Sequence, residues 1–386
     1  MSEISVSELA APRRPTHIFD ERKFEENLAL LKRFKDSCGL KVLLALKGYN
    51  PLHSAALVGQ YLDGVAASSL NEARSSKENY AGEVHTYCPA YDEDTFDVLM
   101  QQSSHVVFNS HQDLARFALR VPKHVKIDIR LNLQHQDMEA EVFEGYNPNK
   151  PFSRFGITAD EFKPEDIEKY NVTGVHFHAL CSQGAADLQG CVGALERKFP
   201  GLLERVERLN MGGGHMVCRE GYDYDLLAKL VVRLRETYGL TVYIEPSEHV
   251  YAGVGVLKAR VLSLIHNEVP IAILNVSAKN HMPDVLESPD YNIELEEGAL
   301  GRDVLEYGYI MGGNTCLTGD VIGDYSFSAP LKLDDTITFT DQTAYTLVQC
   351  HHFNGVAQPD LVVIGTDGNV KLERRDDYTR YLTTVA

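Results

Sequence analysis

The chain has 386 residues, with 37 basic and 55 acidic side chains and a formal net charge of −18. That balance argues against non-specific binding to nucleic acid or to an anionic membrane surface. No apolar run reaches membrane-spanning length, and the cysteines at 38, 88, 181, 191, 218, 316 and 350, with no C-x-x-C pair, read as reduced thiols in a cytoplasmic protein. Residues 1–14 lack the apolar core of a signal peptide and are expected to form a flexible tail.

Pro15 to Phe19 is a short extended lead-in, and Asp20 can cap a helix with apolar residues at 24, 28, 31 and 34. Val42 to Leu46 is an uninterrupted apolar run, the signature of a strand buried on both faces. Helix and strand then alternate. Strands are expected at 64–67, 83–87, 105–108, 125–133, 174–178, 206–211 and 241–245, with helices at 51–61, 70–80, 93–102, 112–119, 161–170, 186–198 and 224–238. The alternation predicts a (β/α)₈ TIM-like barrel over 15–250. One long loop, 134–158, interrupts it, and loops of that length often carry function. After residue 250, strand patterns at 254–266, 271–276, 336–340 and 344–350 predict a mostly β C-terminal domain over 251–386, with the extreme C-terminus free to return to the barrel.

Chemistry in parallel α/β sheets gathers at the carboxyl ends of strands. Lys47 follows the first barrel strand. An amine held against an apolar wall loses hydration, its pKa falls, and the neutral form can condense with an aldehyde; Lys47 is therefore read as the attachment point of pyridoxal 5'-phosphate. Glu245 ends the last strand, which neighbours the first in a closed barrel, so its carboxylate can face a pyridine nitrogen. Gly212-Gly213-Gly214 lets backbone amides approach a phosphate with no Cβ in the way. His176 and His178 are read either as a partner for a flat cofactor or, with Cys181, as a metal site. That second alternative would make the chain a metal-dependent hydrolase, but no complete ligand set is apparent, so no metal is assigned. Weaker signals are Cys316 and Asp320 in GGNTCLTGD, Asp284 in HMPD, and Tyr345, whose hydroxyl could serve a phosphate.

Taken in order, LLALKGYN, HFHALC, NMGGGH, YIEPSE, HMPD and GGNTCLTGD resemble the pyridoxal-phosphate decarboxylases of the alanine racemase-like fold, most nearly the carboxynorspermidine/carboxyspermidine decarboxylase family. The likeness runs from about Pro15 to Tyr381. It implies a homodimer with shared active sites and decarboxylation of an amino acid bearing a polyamine tail. It also implies Lys47 as the Schiff-base lysine, His178 stacked on the ring, Gly213 and Gly214 on the phosphate with Tyr345 helping, Glu245 on the ring nitrogen and Arg130 behind the cofactor. Cys316, from the partner subunit, would be the proton donor, and Glu248, Asp284 and Asp320 would meet substrate amines. Ser247 and Asn275 stand where that family has a glycine and an aspartate. A racemase of the same fold, a decarboxylase acting on an aminocarboxypropyl group on another scaffold, and a non-catalytic cofactor carrier are the remaining alternatives.

Overall fold

The structure is a computed structural model that describes residues 9–138, 144–288 and 291–386; the first eight residues of the expected tail lie outside it. The chain divides into two compact units, Asn27–Val250 and a second made of Met1–Glu26 with Tyr251–Ala386.

The first unit is a closed barrel. After β1 (Thr16–Asp20) and the helix Glu21–Cys38, its strands are β2 (Lys41–Ala45), β3 (Gly64–Ala67), β4 (Glu83–Tyr87), β5 (His105–Phe108), β6 (Lys126–Arg130), β7 (Val172–His176), β8 (Arg208–Asn210) and β9 (Thr241–Ile244). All neighbours are parallel, and β2 closes on β9 through the pairs Lys41–Tyr243 and Val42–Ile244. The apolar run of β2 is fully buried at Val42, Leu43 and Leu44, as a strand covered on both faces must be. Helices begin where side chains satisfy their first amides: Ser69 accepts from Glu72 N, Ser110 from Asp113 N and Asp223 from Leu226 N. The helix Tyr224–Tyr238 ends on Gly239 at φ +72°, a left-handed position that suits glycine.

The second unit is built on β1, β10 (Gly255–Asn267), β11 (Val269–Leu274), β12 (Ala299–Leu300), β13 (Tyr307–Gly312), β14 (Val321–Phe327), β15 (Thr336–Phe339), β16 (Asp360–Ile364) and β17 (Val370–Arg374). The order is β12-β14-β13-β11-β10-β1-β16-β17, with β15 also on β10. Its core gathers Leu257, Ala259, Leu274, Met311, Tyr325 and Phe339. Two expectations need correction. The lead-in at 16–20 is not part of the barrel: β1 pairs antiparallel with β10 and parallel with β16, so its backbone bonds belong to the second unit. The strand expected at 344–350 is instead a turn with Tyr345 at φ 60°, followed by the helix Thr346–Gln349. The C-terminal helix Tyr378–Val385 stays with the second unit, where Tyr381 packs its ring edge-on against His352. Among the described residues, no helix is long and apolar enough to cross a membrane.

Candidate active site

The carboxyl ends of the barrel strands surround a cavity of about 580 Å³, lined by Lys47, Tyr87, Arg130, His176, His178, Gly213 and Glu245 among others. The long loop contributes Tyr146, Lys150, Phe152 and Arg154 to the same wall; its residues 139–143 lie outside the described structure.

Lys47 sits in the turn two residues beyond β2. Lys47 is exposed by surface area and lines the cavity, yet protein atoms crowd closely round its amine. Burial therefore lowers the pKa of its ammonium, the charge of Arg130 lowers it further, and Glu245 opposes both. The strand end is pinned from β9: Ala45 N donates to Pro246 O at 3.0 Å, and the buried Ser247 hydroxyl donates to Ala45 O at 2.8 Å. Ser247 thus takes a backbone partner on the closing seam.

Glu245 directly follows β9. Its Oε1 accepts from Asn210 Nδ2 at 2.6 Å and its Oε2 lies 3.4 Å from His176 Nε2. Burial alone would raise its pKa, but its contacts with His176 and Asn210 bring it down to about 2. Burial also lowers the pKa of His176, so the hydrogen bonds and not a full imidazolium charge are the cause. The carboxylate is thus an anion throughout the physiological range. Asn210 also accepts from Gly212 N at 3.0 Å through Oδ1, so one amide ties the glycine loop to Glu245.

That loop needs its glycines. A Cβ on Gly213 would lie 2.4 Å from Glu245 O, and one on Gly214, at φ +82°, 2.1 Å from Leu180 O. Gly213 N donates to His178 Nδ1 at 2.9 Å, leaving the proton of the neutral imidazole on Nε2. Burial, followed by the charges of Lys47 and Arg130, lowers the His178 pKa well below the ordinary value, so the ring is neutral. Arg130 ends β6 with its guanidinium 4.5 Å from the Tyr87 ring centre and 4.7 Å from that of Phe155. Tyr87 in turn stacks on His176 at 5.7 Å.

The barrel therefore brings Lys47, Arg130, His178, Gly213 and Glu245 together around one cavity, with Gly214 next in the loop. Glu248 is exposed and accepts from Ser182 Oγ at 3.2 Å. His176 and His178 do not converge on a common point, since one serves Glu245 and the other the Gly213 amide. Four expected residues lie on the second unit. Cys316 is exposed, with its amide bonded to Asn354 Oδ1 at 2.8 Å. Asp284 opens the helix Asp284–Glu287, and Tyr345 occupies the left-handed turn. Asp320 is buried and accepts from Ser277 Oγ, Lys279 N, Thr315 N and Thr315 Oγ1, so its carboxylate braces its own loop. Asn275 is also buried, and accepts from Arg260 N at 2.8 Å.

Sequence reasoning missed Asn210 and Tyr87. Both sit at carboxyl ends of barrel strands, and that position was the available signal.

A closed parallel barrel and a separate mostly β unit give the chain the alanine racemase-like fold, which its structural neighbours, named as decarboxylases, share. No protein-family model matches the chain. It is 36% identical over 377 residues to the carboxynorspermidine/carboxyspermidine decarboxylase of Campylobacter jejuni, across 95% of this chain and 97% of that one. It is 33% identical over 389 residues to the carboxyaminopropylagmatine decarboxylase of Synechocystis, across 99% of each. The crystal structure of the C. jejuni carboxynorspermidine decarboxylase complexed with norspermidine matches with a TM-score of 0.87 at 34% identity, covering 96% of this chain and 100% of that one. The chain belongs to the carboxynorspermidine/carboxyspermidine decarboxylase family and is a carboxy-lyase.

Proposed function

We propose that Lys47 carries pyridoxal 5'-phosphate and that the chain decarboxylates carboxynorspermidine or carboxyspermidine, giving norspermidine or spermidine. The observation that carries this reading is the placing of Lys47 and Glu245, with Arg130, His178 and Gly213, on the wall of one cavity. The residues present suit the group. The lowered amine can be neutral, the glycine loop offers backbone amides with no side chain in the way, and a neutral imidazole borders the same space. When bound, the cofactor supplies an electron sink for the pair left as carbon dioxide departs.

The chain's own groups then divide the work. Lys47 would anchor the cofactor, and its free amine can hold a proton at Nζ. Glu245 would hold a proton at a pyridine nitrogen, and His176 and Asn210 would keep it ionised for that task. His178 would support a flat ring, Gly213 and Gly214 would offer their amides to its phosphate, with Tyr345 proposed as a further phosphate donor, and Arg130 would brace the site. Cys316 of a second copy is the proposed proton donor to the carbon, which makes the active enzyme a homodimer. Glu248, Asp284 and Asp320 are proposed for the substrate amines, and the acidic chain would attract such a polycation. The enzyme is proposed to work in the cytoplasm.

A second reading, decarboxylation of carboxyaminopropylagmatine, is favoured by the Synechocystis relative. Carbon dioxide release from carboxynorspermidine, carboxyspermidine and carboxyaminopropylagmatine decides between them. Turnover of either of the first two, lost in Lys47→Ala, supports the proposal; turnover of the third alone moves the assignment; release from none of them refutes both.

A further inference from the structure

A second constellation lies inside the barrel. Glu83 and His85 are two residues apart on β4 and so share a face, and the β4–β5 register sets His85 directly beside His105. Tyr243 reaches them from β9, its hydroxyl donating to Glu83 Oε2 at 3.1 Å, which places the group in the barrel interior. Glu83 Oε2, His85 Nε2 and His105 Nδ1 all lie within 4.8 Å of one another. Glu83 is 2.9 Å from His85 and 3.8 Å from His105, and the two imidazoles are in contact.

Three lone-pair atoms thus converge on one point, where protons satisfy them poorly. If His85 Nε2–H donates to Glu83, the same nitrogen has no lone pair left for His105, and a single proton serves three atoms. One cation satisfies all three. Zinc bonds to nitrogen and oxygen ligands are about 2.0–2.2 Å, so tetrahedral ligand atoms stand about 3.3 Å apart; the 2.9 and 3.8 Å separations from Glu83 bracket that spacing, and the two imidazole nitrogens, which lie closer, must move apart to share an ion. His85 is buried with its Nδ1 unpartnered, so no hydrogen bond at that nitrogen fixes its tautomer. His85 also lines the cavity, which gives an ion a way in and leaves room for a fourth ligand. Among the described residues this is the one group of three metal-ligating side chains that comes together.

We propose that Glu83, His85 and His105 form a site for a single divalent ion of the zinc class, with Tyr243 orienting the carboxylate. Two imidazoles and one carboxylate suit zinc, whereas calcium and magnesium would require oxygen ligands.

The test uses the full chain with its cofactor, loaded with zinc sulfate, desalted, assayed for metal and crystallised for anomalous diffraction at the zinc edge. The expected result is about one zinc per chain, with the anomalous peak between the three side chains. Zinc content should fall at least about tenfold in His105→Ala and in Glu83→Gln, and persist in His176→Ala. A wild-type chain retaining less than about a tenth of an equivalent overturns the proposal, as does a peak at His176 and His178. Should the cluster variants fail to fold, the wild-type stoichiometry and peak position decide alone.

Discussion

Replacing Glu245 with glutamine keeps the shape of the side chain and its acceptor for Asn210 but removes the charge facing His176. The carboxyl is shifted from 4.5 to about 2 by its surroundings. At about 1.4 kcal/mol per unit, the folded barrel favours the ionised form by on the order of 3 kcal/mol. The sign follows from a depressed folded pKa. The contribution is complete above 4.5, shrinks as the pH falls, and is gone once the pH passes below about 2. Urea denaturation of wild type and Glu245→Gln should therefore differ by roughly 3 kcal/mol at pH 7 and by clearly less at pH 3.5. In the decarboxylation assay the same variant loses the group that holds the ring-nitrogen proton, and kcat should drop by about 10²–10³. A stability gap that does not change with pH, or near wild-type turnover, would refute the reasoning.

Gly214→Ala places a Cβ at a left-handed position and into Leu180 O; stability should fall by about 1–3 kcal/mol, and an absorbance titration should show weaker cofactor binding. Arg208→Leu strips the buried Asp128 of its 2.6 Å ion-pair partner; a loss of about 3–5 kcal/mol is expected in denaturation, largely recovered in the double variant with Asp128→Leu. Ser247→Ala removes the hydroxyl that bonds Ala45 O, and should cost about 1 kcal/mol with little change in substrate choice. A changed substrate ranking would show that Ser247 reaches the ligand.

The barrel was legible because its strands are short, apolar and punctuated by capped helices. Gly64–Ala67, Glu83–Tyr87, His105–Phe108 and Tyr224–Tyr238 fall where the periodicity puts them, and the closure of β2 on β9 follows from counting strands. The second unit was legible only as a texture. β13 and β14 carry tyrosine, glycine or aspartate within the strand, which blurs an alternation of two. The run at 344–350 carries the right residue types for a strand, but Tyr345 at positive φ breaks it. The partnership of β1 with β16 joins residues over three hundred positions apart, and no local pattern carries that. The site followed the same rule. Lys47 and Glu245 were singled out by their place at strand ends, and the structure sets both on one cavity wall, whereas Asn210 was hidden because it connects two loops, and the proposed group of Glu83, His85 and His105 because β4 and β5 must first be set in register.

The most direct test asks which amine holds the cofactor. Purified protein is reduced with borohydride, digested, and each lysine peptide weighed. A pyridoxyl-phosphate adduct is expected on the peptide containing Lys47, with no labelled peptide in Lys47→Ala. An adduct on any other lysine, or an unlabelled wild-type chain that still releases carbon dioxide, would contradict the account.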